Sequence, residues 1–145
     1  TVLDSQALLA LLFDEPAADR VEQILRGSEG VPQASGITCG EITDVLVRRT
    51  GHRADEALTI IQDFIAGGLE IVPVDEAIGH RAGLLRSRHS HRDRRSVSLE
   101  DCVVLATGMI NQEAIATADA ALIGAARAES HPVIVLPDSQ GRRAP

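Results

Sequence analysis

A chain of 145 residues has room for one hydrophobic core and not for two. Hydrophobic residues make up 44% and charged ones 24%, the usage of a folded domain, which excludes disorder as a description of the whole. All 14 basic residues are arginine against 21 acids, a net charge of −7, so phosphate loops and Schiff-base chemistry that need lysine are excluded.

In chain order, Val2–Leu3 reads as a short strand running at once into a helix from Ser5 to Phe13. Pro16 opens a second helix that Gly27 closes. Residues 31–35 read as a strand despite Pro32, and a helix follows from Thr38 to Arg49, stopped by Gly51. Ala54, Ala57, Leu58, Ile61, Phe64 and Ile65 recur at helical spacing over 53–66. Leu69 to Val74 form a strand, and Asp75 caps a helix reaching Arg88. Residues 98–111 form a helix that is apolar on most sides and therefore buried. A strand from Ala114 to Thr117, a helix from Ala120 to Ala128 and a strand from Val133 to Leu136 complete the domain. Short strands alternating with helices predict an α/β fold, a parallel sheet of four to five strands sandwiched by helices. The expected domain is 1–138, with 139–145 a loose polar tail.

The longest uncharged apolar stretch, Ala7 to Phe13, is far short of the roughly 20 residues of a membrane span. Asp4 stands where a signal peptide would carry positive charge. Cys39 and Cys102 lack the spacing of a metal or redox motif and read as small buried side chains. A soluble cytoplasmic domain is expected, with no membrane partner. With no Trp, no Tyr and only Phe13 and Phe64, the chain offers no aromatic platform for stacking nucleic-acid bases. Neither Gly-x-Ser-x-Gly nor Gly-x-Gly-x-x-Gly occurs, which leaves a serine hydrolase and a dinucleotide site without support.

Charge is unevenly spread. Six arginines lie between Arg81 and Arg95, with Asp93 the one acid among them, and an acidic body with one basic segment suggests an anionic ligand met at one place. His89 and His91 have no further ligand near them and are not read as a metal pair. The acids at element boundaries are more informative. Asp4 ends the first strand and Asp119 follows the Ala114–Thr117 strand, while Glu41 and Asp101 lie near helix starts. In a parallel sheet two carboxylates at strand ends can converge on the rim where ligands bind, and acids at those helix starts could reach the same rim. Each acid also has a structural explanation. Asp4 and Asp119 can cap helices, and Thr38-x-x-Glu41 and Ser98-x-x-Asp101 resemble capping boxes. Glu100 reads as a solvated neighbour and Asp75 as an ordinary cap. Four convergent carboxylates would repel one another unless a cation neutralised them. Oxygen-only ligands select Mg²⁺ or Mn²⁺, ions that activate water and stabilise charge developing on a phosphodiester.

Four segments together resemble the signature of PIN domains: Thr1-Val-Leu-Asp4-Ser, Cys39-Gly-Glu41-Ile, Val97-Ser-Leu-Glu-Asp101-Cys and Ala116-Thr-Ala-Asp119. Size and element order are most similar to the VapC-type toxins of bacterial toxin–antitoxin pairs. The resemblance implies a metal-dependent endoribonuclease with Asp4, Glu41, Asp101 and Asp119 as catalytic and metal-holding residues, supported by Thr117 and Ser5. It implies Mg²⁺ (or Mn²⁺) as cofactor, an RNA substrate, a homodimer, and a cognate antitoxin whose tail reaches the active-site groove. Arg86, Arg88, Arg92, Arg94 and Arg95, just before Asp101, are then the expected RNA-phosphate contacts. A non-catalytic PIN-like module that binds RNA or a partner protein stays open as the alternative.

Overall fold

The computed structural model describes residues 1–90 and 96–144, so Arg92, Arg94, Arg95 and His91 lie outside the described residues. The elements are β1 (Val2–Leu3), α1 (Ser5–Leu12), α2 (Ala18–Leu25), β2 (Gln33–Ser35), α3 (Gly36–Asp44), α4 (Ala54–Ala66) and β3 (Glu70–Val72). They continue with α5 (Glu76–His89), α6 (Leu99–Asn111), β4 (Ile115–Thr117), α7 (Ala120–Ala128) and β5 (Val133–Val135). The strands form one sheet in the order β3-β2-β1-β4-β5, and every pairing is parallel.

Two apolar layers cover the sheet, and strand alternation decides which residue serves which. On β1, Leu3 faces a layer with Leu8, Ile24, Ile42, Leu46 and Ile61, supplied by α1 to α4 and the turn after α3. Val2 faces the opposite layer with Ile78, Leu85, Leu105 and Leu122, supplied by α5, α6 and α7. The adjacent β4 repeats the pattern, Ala116 with Leu3 and Ile115 with Val2. Both faces being covered is why the strands read as continuous apolar runs. Helix α6 is the buried one, as its all-round apolar sequence predicts, with Cys102 to Gly108 all inaccessible. Its Gly108 lies so close to β4 that a Cβ there would come within 2.7 Å of Ile115.

The chain departs from the sequence-based expectation in four places. The helix carrying Glu41 starts at Gly36 with Ser35 as its N-cap, so Thr38 caps nothing and its buried hydroxyl has no partner. The end of that helix is a π-helical turn, Val45–Arg49, closed by the Thr50 amide on the Val45 carbonyl. Pro16 precedes α2 without entering it. Residues 138–142 form a hydrogen-bonded turn: Asp138 accepts from the Gln140 and Arg142 amides, and its own amide donates to the Arg142 carbonyl at 2.7 Å. Cys102 is buried as expected, and Cys39 is half-buried. Among the described residues no helix is long and apolar enough to cross a membrane.

Candidate metal centre

From β1 the chain proceeds to β2 on one side of the sheet, while β4 pairs with β1 on the other. The helix after β1 packs on one face and the helix after β4 on the opposite face. The carboxyl ends of β1 and β4 therefore flank a topological switch point, the place where a parallel sheet leaves a crevice. Asp4 and Asp119 are the residues that leave those two strand ends.

Both cap the helices that follow them. Asp4 is 3% exposed; one carboxylate oxygen accepts from the Ala7 amide at 2.7 Å and the other from the Thr117 hydroxyl. Asp119 is 8% exposed, and its Oδ1 caps α7 by accepting from the Ala121 and Leu122 amides. The Gln6 side-chain amide approaches Asp119 Oδ2 at 3.4 Å. Thr117 joins the pair, since its hydroxyl also accepts from the Asp119 amide at 2.9 Å. The Ser98 and Asp101 pair is a capping box as the sequence suggests, with Ser98 N donating to Asp101 Oδ2 at 2.8 Å and Asp101 N to Ser98 Oγ at 2.9 Å.

The electrostatics bring the acids together. Burial, with smaller contributions from the charges of Asp101 and Asp119, pushes Asp4 up to about pKa 7 against the pull of hydrogen bonds from Thr117 and Ala7. Burial raises Asp101 as well; hydrogen bonds from Ser98 lower it, and the charges of Asp119 and Glu100 raise it. Glu41 is raised by burial and by the charges of Asp101 and Glu100, with a hydrogen bond from Ser5 opposing. Asp4, Asp101 and Asp119 thus sense one another's charge, and Glu41 joins them through Asp101. Glu100, read from sequence as a bystander, adds its charge to it. Among the described residues, no ion pair involves Asp4, Glu41 or Asp101.

The donor set is all oxygen, anionic and largely buried, which fits a hard divalent ion in charge and ligand type. The side chains are not closed into a finished shell: among the described residues no three His, Cys, Asp or Glu are grouped closely enough to hold an ion as they stand.

Other predicted residues fall differently. Arg86 bonds the Ser96 hydroxyl at 2.7 Å, and its charge reaches Cys102, next to Asp101. Arg88 and His89 both engage Glu129, at 3.2 and 2.8 Å. Glu129 is the C-cap of α7 while Asp119 is its N-cap, so the two stand about 15 Å apart at 1.5 Å per residue. Residues that sequence reasoning missed lie beside Asp119. A groove of about 750 Å³ is walled by Gln6, Phe13, Arg49, Asp119, Arg142 and Arg143 among others. Only Gln6, two residues after Asp4, carried a signal in its position.

The PIN domain model matches residues 1–128. No curated protein matches the chain in sequence. Among solved structures, VapBC2 from Rickettsia felis bound to a promoter DNA fragment is similar at TM-score 0.68 and 13% identity, covering 92% of this chain and 96% of that one. DNA-bound VapBC from Salmonella typhimurium gives 0.67 and 16%, covering 92% and 95%. VapC20 from Mycobacterium tuberculosis, described as a sarcin–ricin loop cleaving toxin, gives 0.66 and 21%, covering 86% and 93%. These likenesses are of fold. With the family model spanning most of its length, the chain belongs to the PIN domain family.

Proposed function

We propose that the chain is a divalent-metal-dependent endoribonuclease and the toxin of a toxin–antitoxin pair, acting in the cytoplasm. The observation that carries this reading is the pair of buried acids Asp4 and Asp119 at the strand ends that flank the switch point, with Asp101 close enough for its charge to raise Asp4 and Glu41 coupled to it through Asp101. Buried like charges are costly, and an ion offsets that cost. The fold neighbour from Klebsiella pneumoniae described as a toxin–antitoxin complex, and the one described as a sarcin–ricin loop cleaving toxin, support the same reading.

In this reading Asp4, Glu41, Asp101 and Asp119 hold Mg²⁺ or Mn²⁺. Bound there, the ion supplies an activated water and neutralises charge building on the phosphodiester. Thr117 orients Asp4, Ser5 steadies Glu41, and the capping contacts of Asp101 and Asp119 fix one oxygen of each. Arg86, Arg88, Arg92, Arg94 and Arg95 hold RNA phosphates, and the charge of Arg86 reaches Cys102, the neighbour of Asp101. A cognate antitoxin covers the site in the inactive complex, and the active form is a homodimer. A non-catalytic RNA- or protein-binding module is the second reading. It is favoured by one observation: the acids already serve as helix caps without forming a closed shell.

Calorimetry with Mn²⁺ separates the two readings. The enzyme binds the ion, and Asp4→Asn/Asp101→Asn abolishes binding and Mn²⁺-dependent RNA cleavage together. Equal binding by both forms, or none at millimolar metal even with a non-cleavable oligonucleotide present, favours the module.

A further inference from the structure

Phe13 and Phe64 are the two aromatic residues of the chain, and they have different surroundings. Phe64 packs against the α1–α4 core layer. Phe13, at the end of α1, is 40% exposed and lies in the wall of the groove that begins at Asp119. The ring shares that wall with the buried Asp119, and its exposed face is free to meet a flat apolar partner.

The rest of the groove is assembled from distant parts of the chain. The π-helical turn after α3 places Val45 and Arg49 along it. The C-terminal turn forms the other side, resting against Pro16, and its Gly141 holds φ +77, a conformation that strains any other residue. This turn delivers Arg142 and Arg143. Asp138 is occupied by Arg142, which it holds at 3.0 Å. Among the described residues Arg49 and Arg143 enter no ion pair. Glu15 also lines the groove, so its charge is mixed, and the groove combines arginines with one aromatic ring. A nucleotide, with one phosphate and one base, complements that combination.

We infer that this groove is a subsite for a single-stranded RNA nucleotide adjoining the carboxylate cluster. Arg49 and Arg143 hold its phosphate and Phe13 stacks its base. The inference rests on the nuclease reading for its ligand and adds three residues on the side of Asp119 away from Glu129. Stacking on one ring is tolerant of sequence, so the subsite contributes affinity and register but not base choice.

The chain contains no Trp and no Tyr, so Phe13→Trp introduces a single indole that reports on the groove. Titration with oligouridylate in calcium buffer should quench its emission over the same concentrations at which a fluorescein-labelled oligouridylate gains anisotropy. Phe13→Leu, which keeps apolar bulk, should weaken binding about tenfold, and Phe13→Tyr should restore it. Arg49→Gln/Arg143→Gln should reduce the slope of log affinity against log salt by about 0.7, and Arg49→Lys/Arg143→Lys should recover it. The same loss of charge on a remote face, Arg20→Gln/Arg53→Gln, should leave the slope nearly unchanged. All these positions are exposed or half-exposed, and thermal melts check that each variant is folded. Oligonucleotide binding with no change in indole emission, or an undiminished affinity in Phe13→Leu, overturns the subsite. Mn²⁺-dependent cleavage measured on the same proteins reads the nuclease assignment separately: cleavage with a silent indole removes the subsite alone, and absence of both binding and cleavage removes both.

Discussion

Thr117 on β4 donates its hydroxyl proton to the carboxylate of Asp4 at the end of β1, and the same oxygen receives the amide of Asp119. One buried side chain therefore couples the two acids that flank the switch point. Thr117→Val removes both contacts while preserving shape, leaving a buried amide without its acceptor. The expected loss is about 1–3 kcal/mol in urea unfolding. In a double-mutant cycle with Asp4→Asn the two changes should be clearly non-additive.

Asp4 makes stability depend on pH with an unusual sign. Its folded pKa lies near 7, above the unfolded value of 3.8, so between those values the native state holds a proton that the unfolded state has lost. Stability falls as pH rises through this window, by up to about 4 kcal/mol at 1.36 kcal/mol per unit. Asp4→Asn abolishes that dependence and gives up a hydrogen bond worth about 1 kcal/mol. The variant should be the more stable protein at pH 8 and the less stable at pH 4, a crossover that denaturation at the two pH values reads directly. A wild type that is equally stable across the window would refute the buried-acid assignment.

Ser98 holds Asp101 by both ends of the capping box. Ser98→Ala should cost about 1 kcal/mol and Ser98→Thr should recover most of it, since threonine caps well. Because the backbone contact from residue 98 to Asp101 survives, RNA cleavage should persist in both. Loss of cleavage in Ser98→Ala with restoration in Ser98→Thr would show that the hydroxyl positions the carboxylate as well as the helix.

Gly108 tests the packing of α6 on the sheet. A Cβ there would meet Ile115 at 2.7 Å, the Glu113 carbonyl at 2.9 Å and His131 at 2.9 Å. Helix propensity favours alanine over glycine by about 1 kcal/mol, but overpacking typically costs 1–3 kcal/mol. Gly108→Ala should therefore lower the urea midpoint. Gly83→Ala, in α5 with open space around it, should raise the midpoint.

Much of the fold and the acidic group was legible because both are local. The runs of β1, β2, β3 and β4 each end in, or are followed by, an acid or serine that caps the next helix, and Asp4 and Asp119 are the two such acids at the strand ends that flank the switch point. The missed features depend on distant contacts. Thr38 looked like a cap until β2 ended at Ser35, three residues earlier, where an equally good cap was waiting. The π-turn at Val45–Arg49 leaves no mark in a periodic apolar pattern. The tail read as loose because it is polar, whereas Asp138 organises it from within. Phe13 was set aside as one ring too few, and the groove around it joins residues 13, 49 and 143, which no spacing rule connects.

Asp4, Asp101 and Asp119 all cap helix starts, and under the proposed nuclease reading they are also the acids that hold the ion, which has a consequence for how such an activity can be lost. Alanine at any of them unravels a helix start along with the site. Asparagine keeps an acceptor in place and caps about as well as aspartate, while removing the charge that repels its neighbours. Asp and Asn codons differ by one base. Inactive descendants of this chain should therefore arise by single steps that leave the architecture sound, and silenced copies should carry amides where the active protein carries acids.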